Sequence, residues 1–184
     1  MMAEIDENEK LSDALASFGA LIRYNINHGQ STLGLELEHA KDYICILNLL
    51  KNDSLSLRHN IKPSMSEIAL PMLVLQPLVE NAILHGYDGV NPLFVFIDCK
   101  VCDAHMTIKV TNNGKTIERK KLDEINIKLN QAMKFQSKES GIALTNIHNR
   151  LRMQYGEKYG LTINNDEDGV TVAVNIPLYV KKIY

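Results

Sequence analysis

A chain of 184 residues, 45% of them hydrophobic, is long enough to bury a substantial core as one compact domain. Twenty basic side chains against 22 acidic ones leave a net charge of −2, which excludes the basic footprint of a nucleic-acid or anionic-membrane binder. No apolar run is long enough to span a bilayer, the acidic start Met1-Met2-Ala3-Glu4-Ile5-Asp6 is unlike a signal sequence, and Cys45, Cys99 and Cys102 form no metal-ligand pattern, so a soluble segment in a reducing compartment is expected.

The first helix is predicted from about Asp6 to Asn27, with Leu11, Leu15, Phe18, Leu21 and Ile22 at apolar positions and Asn27-His28-Gly29 as its stop. A second follows from about Leu35 to Lys51, with Leu37, Ala40, Ile44, Leu47 and Leu50 on one face. Leu55 to Ile61 alternates as a strand, and Pro63 and Pro71 bracket the approach to a third helix. Leu93 to Val101 and Met106 to Thr111 read as two strands joined by a tight turn. The polar stretch from Asn112 to Ser140 is expected to be mobile, with one amphipathic helix from Ile117 to Gln131. A helix from Ile142 to Tyr155 and a strand pair, Leu161 to Asn164 and Val170 to Ile176, close the chain. Helices interleaved with antiparallel strand pairs predict a two-layer α/β sandwich with helices on one sheet face.

The third helix carries the most chemistry. In Leu75-Gln76-Pro77-Leu78-Val79-Glu80-Asn81-Ala82-Ile83-Leu84-His85-Gly86, apolar residues at Leu75, Leu78, Val79, Ala82 and Ile83 recur at helical spacing and put Glu80 and Asn81 at the edge of a buried face. Polar groups there need partners, which neighbouring backbone or a magnesium ion with a polyphosphate would supply. Spacing alone leaves both open.

Read from Leu70 to Ile83, this segment resembles the N box of sensor histidine kinases of the LytS/YesM type, whose pattern runs LxPLLLQPLVENAIKHG. Leu21-Ile22-Arg23-Tyr24 resembles the family's LLRY at the end of its dimerisation hairpin, and Leu35 to Tyr43 resembles its LEEELEHVKNYL. Asn146 to Leu151 with Tyr155-Gly156 is similar to NIxxRLxxxYG, and Gly169 to Val172 to the final strand. The resemblance implies the ATP-binding fold shared by histidine kinases, type II topoisomerases, heat-shock chaperones and mismatch-repair ATPases. Residues 1–52 would be a helical lead-in and 53–184 the ATP-binding kinase domain.

On that resemblance, ATP and Mg2+ are the cofactors and Asn81 holds the metal on the phosphates. Glu80 is the adjacent carboxylate that orients a metal-bound water or accepts a proton. Many relatives place their base one turn earlier, where this chain has Pro77, which has no side chain for the task. His85 ends the helix near the expected phosphates. The family's DNGxG reads Asn112-Asn113-Gly114-Lys115-Thr116 here. Asn112 accepts from the adenine amino group without charge, costing about 1 to 3 kcal/mol of adenine binding, and Thr116 replaces a glycine. The phosphate loop GxGIGLxN reads Ser140-Gly141-Ile142-Ala143-Leu144-Thr145-Asn146, with Ala143 replacing a glycine. Leu84 stands where relatives have a lysine, and Leu47 and Leu50 where they often have Gln and Arg. Lys115 or Lys138 would restore cationic contact.

The phosphoacceptor motif HFxFNxLN has no counterpart before Leu21, so the chain is expected to begin inside a longer, membrane-anchored kinase, on its cytoplasmic side. The remaining histidines read as surface or structural. The resemblance implies two functions of different class: an ATP-binding domain that phosphorylates a histidine on its own dimerisation helix, as a homodimer serving a response regulator, or a degenerate ATPase fold acting as an interaction module. Leu84, Asn112, Thr116 and Ala143 favour the second; the Glu80-Asn81 pair favours the first.

Overall fold

The computed structural model describes residues 2–26, 30–51, 53–102, 104–131, 142–167 and 169–178. Helix α1 (Met2–Ile26) leads through a short strand β1 (Gln30–Thr32) into α2 (Leu33–Lys51). Strand β2 (Leu55–His59), a single 3-10 turn (Pro63–Met65) and a second short strand β3 (Ala69–Pro71) precede α3 (Leu75–Gly86). Then come β4 (Leu93–Cys102), β5 (His105–Asn112), α4 (Arg119–Gln131), α5 (Ile142–Tyr155), β6 (Gly160–Asp166) and β7 (Gly169–Pro177).

Five strands form one sheet in the order β2-β4-β5-β7-β6, with β2 parallel to β4 and the other pairs antiparallel. The period-two pattern works as a one-sided address. Leu93, Val95, Ile97 and Cys99 of β4, Met106, Ile108 and Val110 of β5, and Val170, Val172, Val174 and Ile176 of β7 are buried on one face. Helices α2, α3 and α5 cover that face with Leu37, Ala40 and Ile44, with Leu75, Leu78, Val79, Ala82 and Ile83, and with Leu144, Ile147 and Leu151. Helices on one side of a mixed sheet make the expected two-layer α/β sandwich. Phe94 and Phe96, on the alternate positions of β4, remain on the open face, where Arg58 lies over the Phe94 ring.

Several sequence expectations are corrected. Leu50, placed on the buried stripe of α2, is 81% exposed, because at about 100° per residue it falls well round the helix from Ala40, Ile44 and Leu47, which face the core. The small antiparallel sheet of β1 and β3 was not anticipated, since three residues carry no periodicity. The amphipathic helix expected from Ile117 begins two residues later, as α4, and side-chain amides join it and Ile117 to β6. Asn126 of α4 donates to the Ile163 carbonyl (2.8 Å) and accepts from the Ile163 amide (3.2 Å), and Asn165 exchanges the same pair with Ile117. The rest of the stretch from Asn112 to Ser140, residues 132–140 with Lys138, lies outside the described residues, as do Gly141, His28 and the turn residue Asp103.

Candidate functional site

Two ends meet to form the site: the C-terminus of α3 and the loop that follows β5. Alternation along β5 carries Asn112 to the inner face, in register with Val95 on one side and Val170 on the other. Its side chain is only 5% exposed. The amide oxygen accepts the Gly114 N–H at 2.9 Å, and the amide nitrogen faces the Val170 carbonyl at 3.5 Å. Gly86, the last residue of α3, lies directly against that oxygen: a Cβ on Gly86 would sit 2.6 Å from Asn112 Oδ1. A Cβ on Gly114 would come within 2.4 Å of Gly86 Cα. The helix end, the loop and the strand end therefore touch through backbone, which only glycine permits here. The sequence reading found Asn112 and Gly114 through their motif and left Gly86 without a role.

Helix α3 holds its two polar residues as the spacing predicts. Pro77 is accommodated in the first turn, where its missing N–H is no loss. Glu80 is half-buried and accepts a hydrogen bond from Gln76 Nε2, one turn earlier, at 2.9 Å. Gln76 Oε1 is buried without a hydrogen-bond partner among the described residues. The Tyr43 phenol stands nearby; burial, then the Glu80 charge, raises its pKa above the ordinary tyrosine value. Asn81 is also half-buried, and its side chain makes no hydrogen bond to another described residue. His85 and Leu84 are exposed in the last turn, Leu84 by 75%.

The other predicted residues are distributed around this centre. Lys115 and Thr116 are exposed in the loop. Hydrogen bonds from Asn91 and the Val90 amide, and last the Lys115 charge, lower the pKa of nearby Asp88 to about 2. On α5, Ala143 and Asn146 are exposed, and Asn146 lines an open groove with Asn149, Arg150, Met153 and Gln154. Leu144 is a core residue, so only its backbone is available to a ligand. Ile142 begins α5, whose N-terminal amides suit an anion. Two oxygen-bearing side chains on α3 suit a hard cation.

A residue missed by sequence reasoning is Glu36, 1% exposed, whose carboxylate accepts the backbone N–H groups of Leu73, Val74 and Leu75 at 2.8, 2.8 and 2.9 Å. These are orphan donors at the start of α3, where Val74 provides no side-chain cap. A signal was available. Glu36 falls on the apolar stripe of α2, between Leu33 and Ala40, where a lone carboxylate demands partners.

Residues 66–180 match the model of the histidine kinase-, DNA gyrase B- and HSP90-like ATPases. The chain is 29% identical over 180 residues to sensor protein LytS of Streptococcus agalactiae, covering 96% of this chain and 30% of that one. It is 32% identical over 160 residues to sensor histidine kinase YpdA of Escherichia coli, covering 85% and 26%. It thus spans under a third of the length of these relatives. The catalytic domain of histidine kinase ThkA superposes with a TM-score of 0.58 at 17% identity, over 83% of this chain and 99% of that one. ThkA in complex with response regulator protein TrrA superposes at 0.57 and 13%, over 95% and 50%.

Proposed function

Because the chain belongs to the histidine kinase-, DNA gyrase B- and HSP90-like ATPase family, as the ATP-binding catalytic domain of a sensor histidine kinase, we propose that it holds MgATP between α3, the Asn112 loop and the start of α5 for transfer of the γ-phosphoryl group to a histidine outside residues 1–184. The observation that carries this reading is Asn81, half-buried on α3 with its amide uncommitted to any described residue. Buried Gln76 Oε1, orphaned one turn before Glu80, adds a second polar atom on the same helix that lacks a partner. These groups fit a magnesium polyphosphate.

In this reading Asn81 would hold the metal, and Glu80, kept in place by Gln76, would orient a metal-bound water or accept a proton. Magnesium, when bound, neutralises charge on the phosphate oxygens. Asn112, whose Oδ1 accepts one N–H from Gly114 and has a second lone pair, would accept the adenine amino group beside the close Gly86 and Gly114 backbones. The start of α5 presents amides to phosphate. The rate enhancement would come from positioning and electrostatics.

The division at residue 52, the homodimer and the response regulator belong to the same proposal, with α2 of the helical lead-in packed into the core of the domain it precedes. Leu11, Leu15, Phe18 and Ile22 form an exposed apolar stripe along α1, which suits pairing with a second copy's helix. The response regulator is suggested by the ThkA complex with TrrA. Among the described residues no helix is long and apolar enough to cross a membrane, so an anchor would lie elsewhere.

Calorimetric titration with a non-hydrolysable ATP analogue, with and without magnesium and beside Asn81→Ala, tests the reading. Magnesium-dependent binding that the substitution abolishes is expected. A folded protein that binds nothing up to millimolar analogue would leave the interaction-module alternative, to which the exposed Leu84 already lends some support.

A further inference from the structure

The last turns of α1 reach the start of α3 through a single buried carboxylate. Tyr24, 8% exposed, donates its phenol hydrogen to Glu36 Oε1, lies 2.8 Å from Ser31 Oγ, and stacks on the His39 ring with centroids 3.7 Å apart. Burial and then the Glu36 contact raise the phenol pKa well above the tyrosine range, which keeps the proton on Tyr24 as donor. The same Oε1 accepts from Leu73, and Oε2 from Val74 and Leu75. Leu73 has φ +56, a left-handed conformation unusual for leucine, and its carbonyl accepts from Arg150 Nη2 of α5 at 2.8 Å. One peptide therefore joins α1 and α2, through Glu36, to both helices that flank the candidate site.

The geometry leaves α3 little freedom. Its N-terminus is seated on Glu36, and its C-terminus is stopped by Gly114 against Gly86. Asn81 is six residues beyond Leu75, about 9 Å along the same helix, so the seat of that end sets where Asn81 stands.

We propose that Tyr24 and Glu36 are positioning residues for the nucleotide site: their hydrogen bond sets the seat of α3 and couples the orientation of α1 to the placement of Asn81. The inference rests on the reading that α3 carries the nucleotide-binding asparagine. Coupling works in both directions, so nucleotide bound at Asn81 is felt at Tyr24 and Ser31.

Tyr24→Phe deletes only the hydroxyl and leaves the ring on His39. The test is calorimetry of wild type and Tyr24→Phe with magnesium and the non-hydrolysable analogue, together with nitrogen-edited NMR of both chains. A modest coupling predicts affinity about three- to tenfold weaker in Tyr24→Phe, with the wild-type analogue-induced shift at the Ser31 amide abolished. A lower melting temperature with unchanged affinity and an unchanged Ser31 shift would make the pair purely structural and overturn the proposal. Should wild type bind no analogue, the nucleotide reading fails on its own, and the coupling is decided in ligand-free protein by the Asn81 side-chain amide resonance. Displacement of that resonance by Tyr24→Phe sustains the coupling; its constancy refutes it. Glu36→Gln, isosteric but weaker as an acceptor, should reproduce the effect of Tyr24→Phe where it folds.

Discussion

Gly86 and Gly114 lie so close that a methyl group on Gly114 would stand 2.4 Å from the Gly86 Cα and 2.8 Å from Asn112 Oδ1. The end of α3 and the loop after β5 are thereby fixed to each other through backbone. Gly114→Ala forces one of them to move. A destabilisation of about 1 to 3 kcal/mol is expected from overpacking, or roughly 2 to 4 °C of melting temperature per kcal/mol in a chain of this size. Analogue binding should fall with it, because the displaced groups lie beside the proposed adenine site. Thermal unfolding and calorimetry on the same sample check both.

Leu84, 75% exposed on the last turn of α3, contributes almost nothing to the core. Leu84→Lys should leave stability within about 0.5 kcal/mol. It should tighten binding of the magnesium-bound analogue by roughly two- to tenfold, a gain that shrinks as salt is raised from low to physiological concentration. Unchanged affinity at low salt would place the phosphates out of reach of residue 84.

Asn112→Asp sets a gain in ligand binding against a cost in folding. The carboxylate keeps the acceptor for the Gly114 amide but turns an oxygen toward the Val170 carbonyl, where Asn112 presents its NH2 at 3.5 Å. Stability should fall by about 1 to 3 kcal/mol for the buried, imperfectly paired group. Affinity for the adenine analogue should rise by about tenfold, because a charged acceptor makes the stronger hydrogen bond. A guanine analogue, which has no amino group at that position, should not share the gain.

His148 makes stability depend on pH. Its side chain is buried on α5, with Nδ1 accepting the Leu161 N–H at 3.0 Å and Arg152 Nη1 3.4 Å from Nε2. Burial first, then the Arg152 charge, lowers its pKa below the ordinary 6.5. The unfolded chain therefore takes up the proton first, so this contribution is complete above about pH 6.5 and is lost as the pH falls toward the lower folded value. His39, whose pKa is likewise lowered chiefly by burial, acts in the same direction. Between pH 7.5 and 5.5 the melting temperature should fall, and His148→Gln, which keeps an acceptor for Leu161 but does not titrate, should flatten that fall. An equal slope in the variant would assign the dependence to other groups.

Much of this architecture was legible before any coordinates. Inward and outward alternation along β4, β5 and β7 and the helical stripe of α3 carry their own addresses, because a period of two or 3.6 can bury only one face. Period alone placed Glu80 and Asn81 at the edge of the buried face of α3, while Asn112 was reached only through the resemblance of its motif. Glu36 met the criterion of period as well, yet its partners, the amides of Leu73 to Leu75, lie 37 to 39 residues away, so no local pattern could pair them.

Sequence alone thus determined the longer elements and the buried faces of β4, β5, β7 and α3, which depend on residue type at short spacing, and the resemblance of its motifs pointed to the family. Tertiary structure decided what distant segments do to one another: that Gly86 rests on Gly114, that Asn112 is nearly sealed beneath the end of α3, that Leu50 and Leu84 face solvent, and that Tyr24 and Glu36 seat the helix bearing Asn81. The physical reason is that close approach and hydrogen-bond satisfaction depend on which groups the chain brings within about 3 Å across the fold, and spacing along the sequence does not encode that distance.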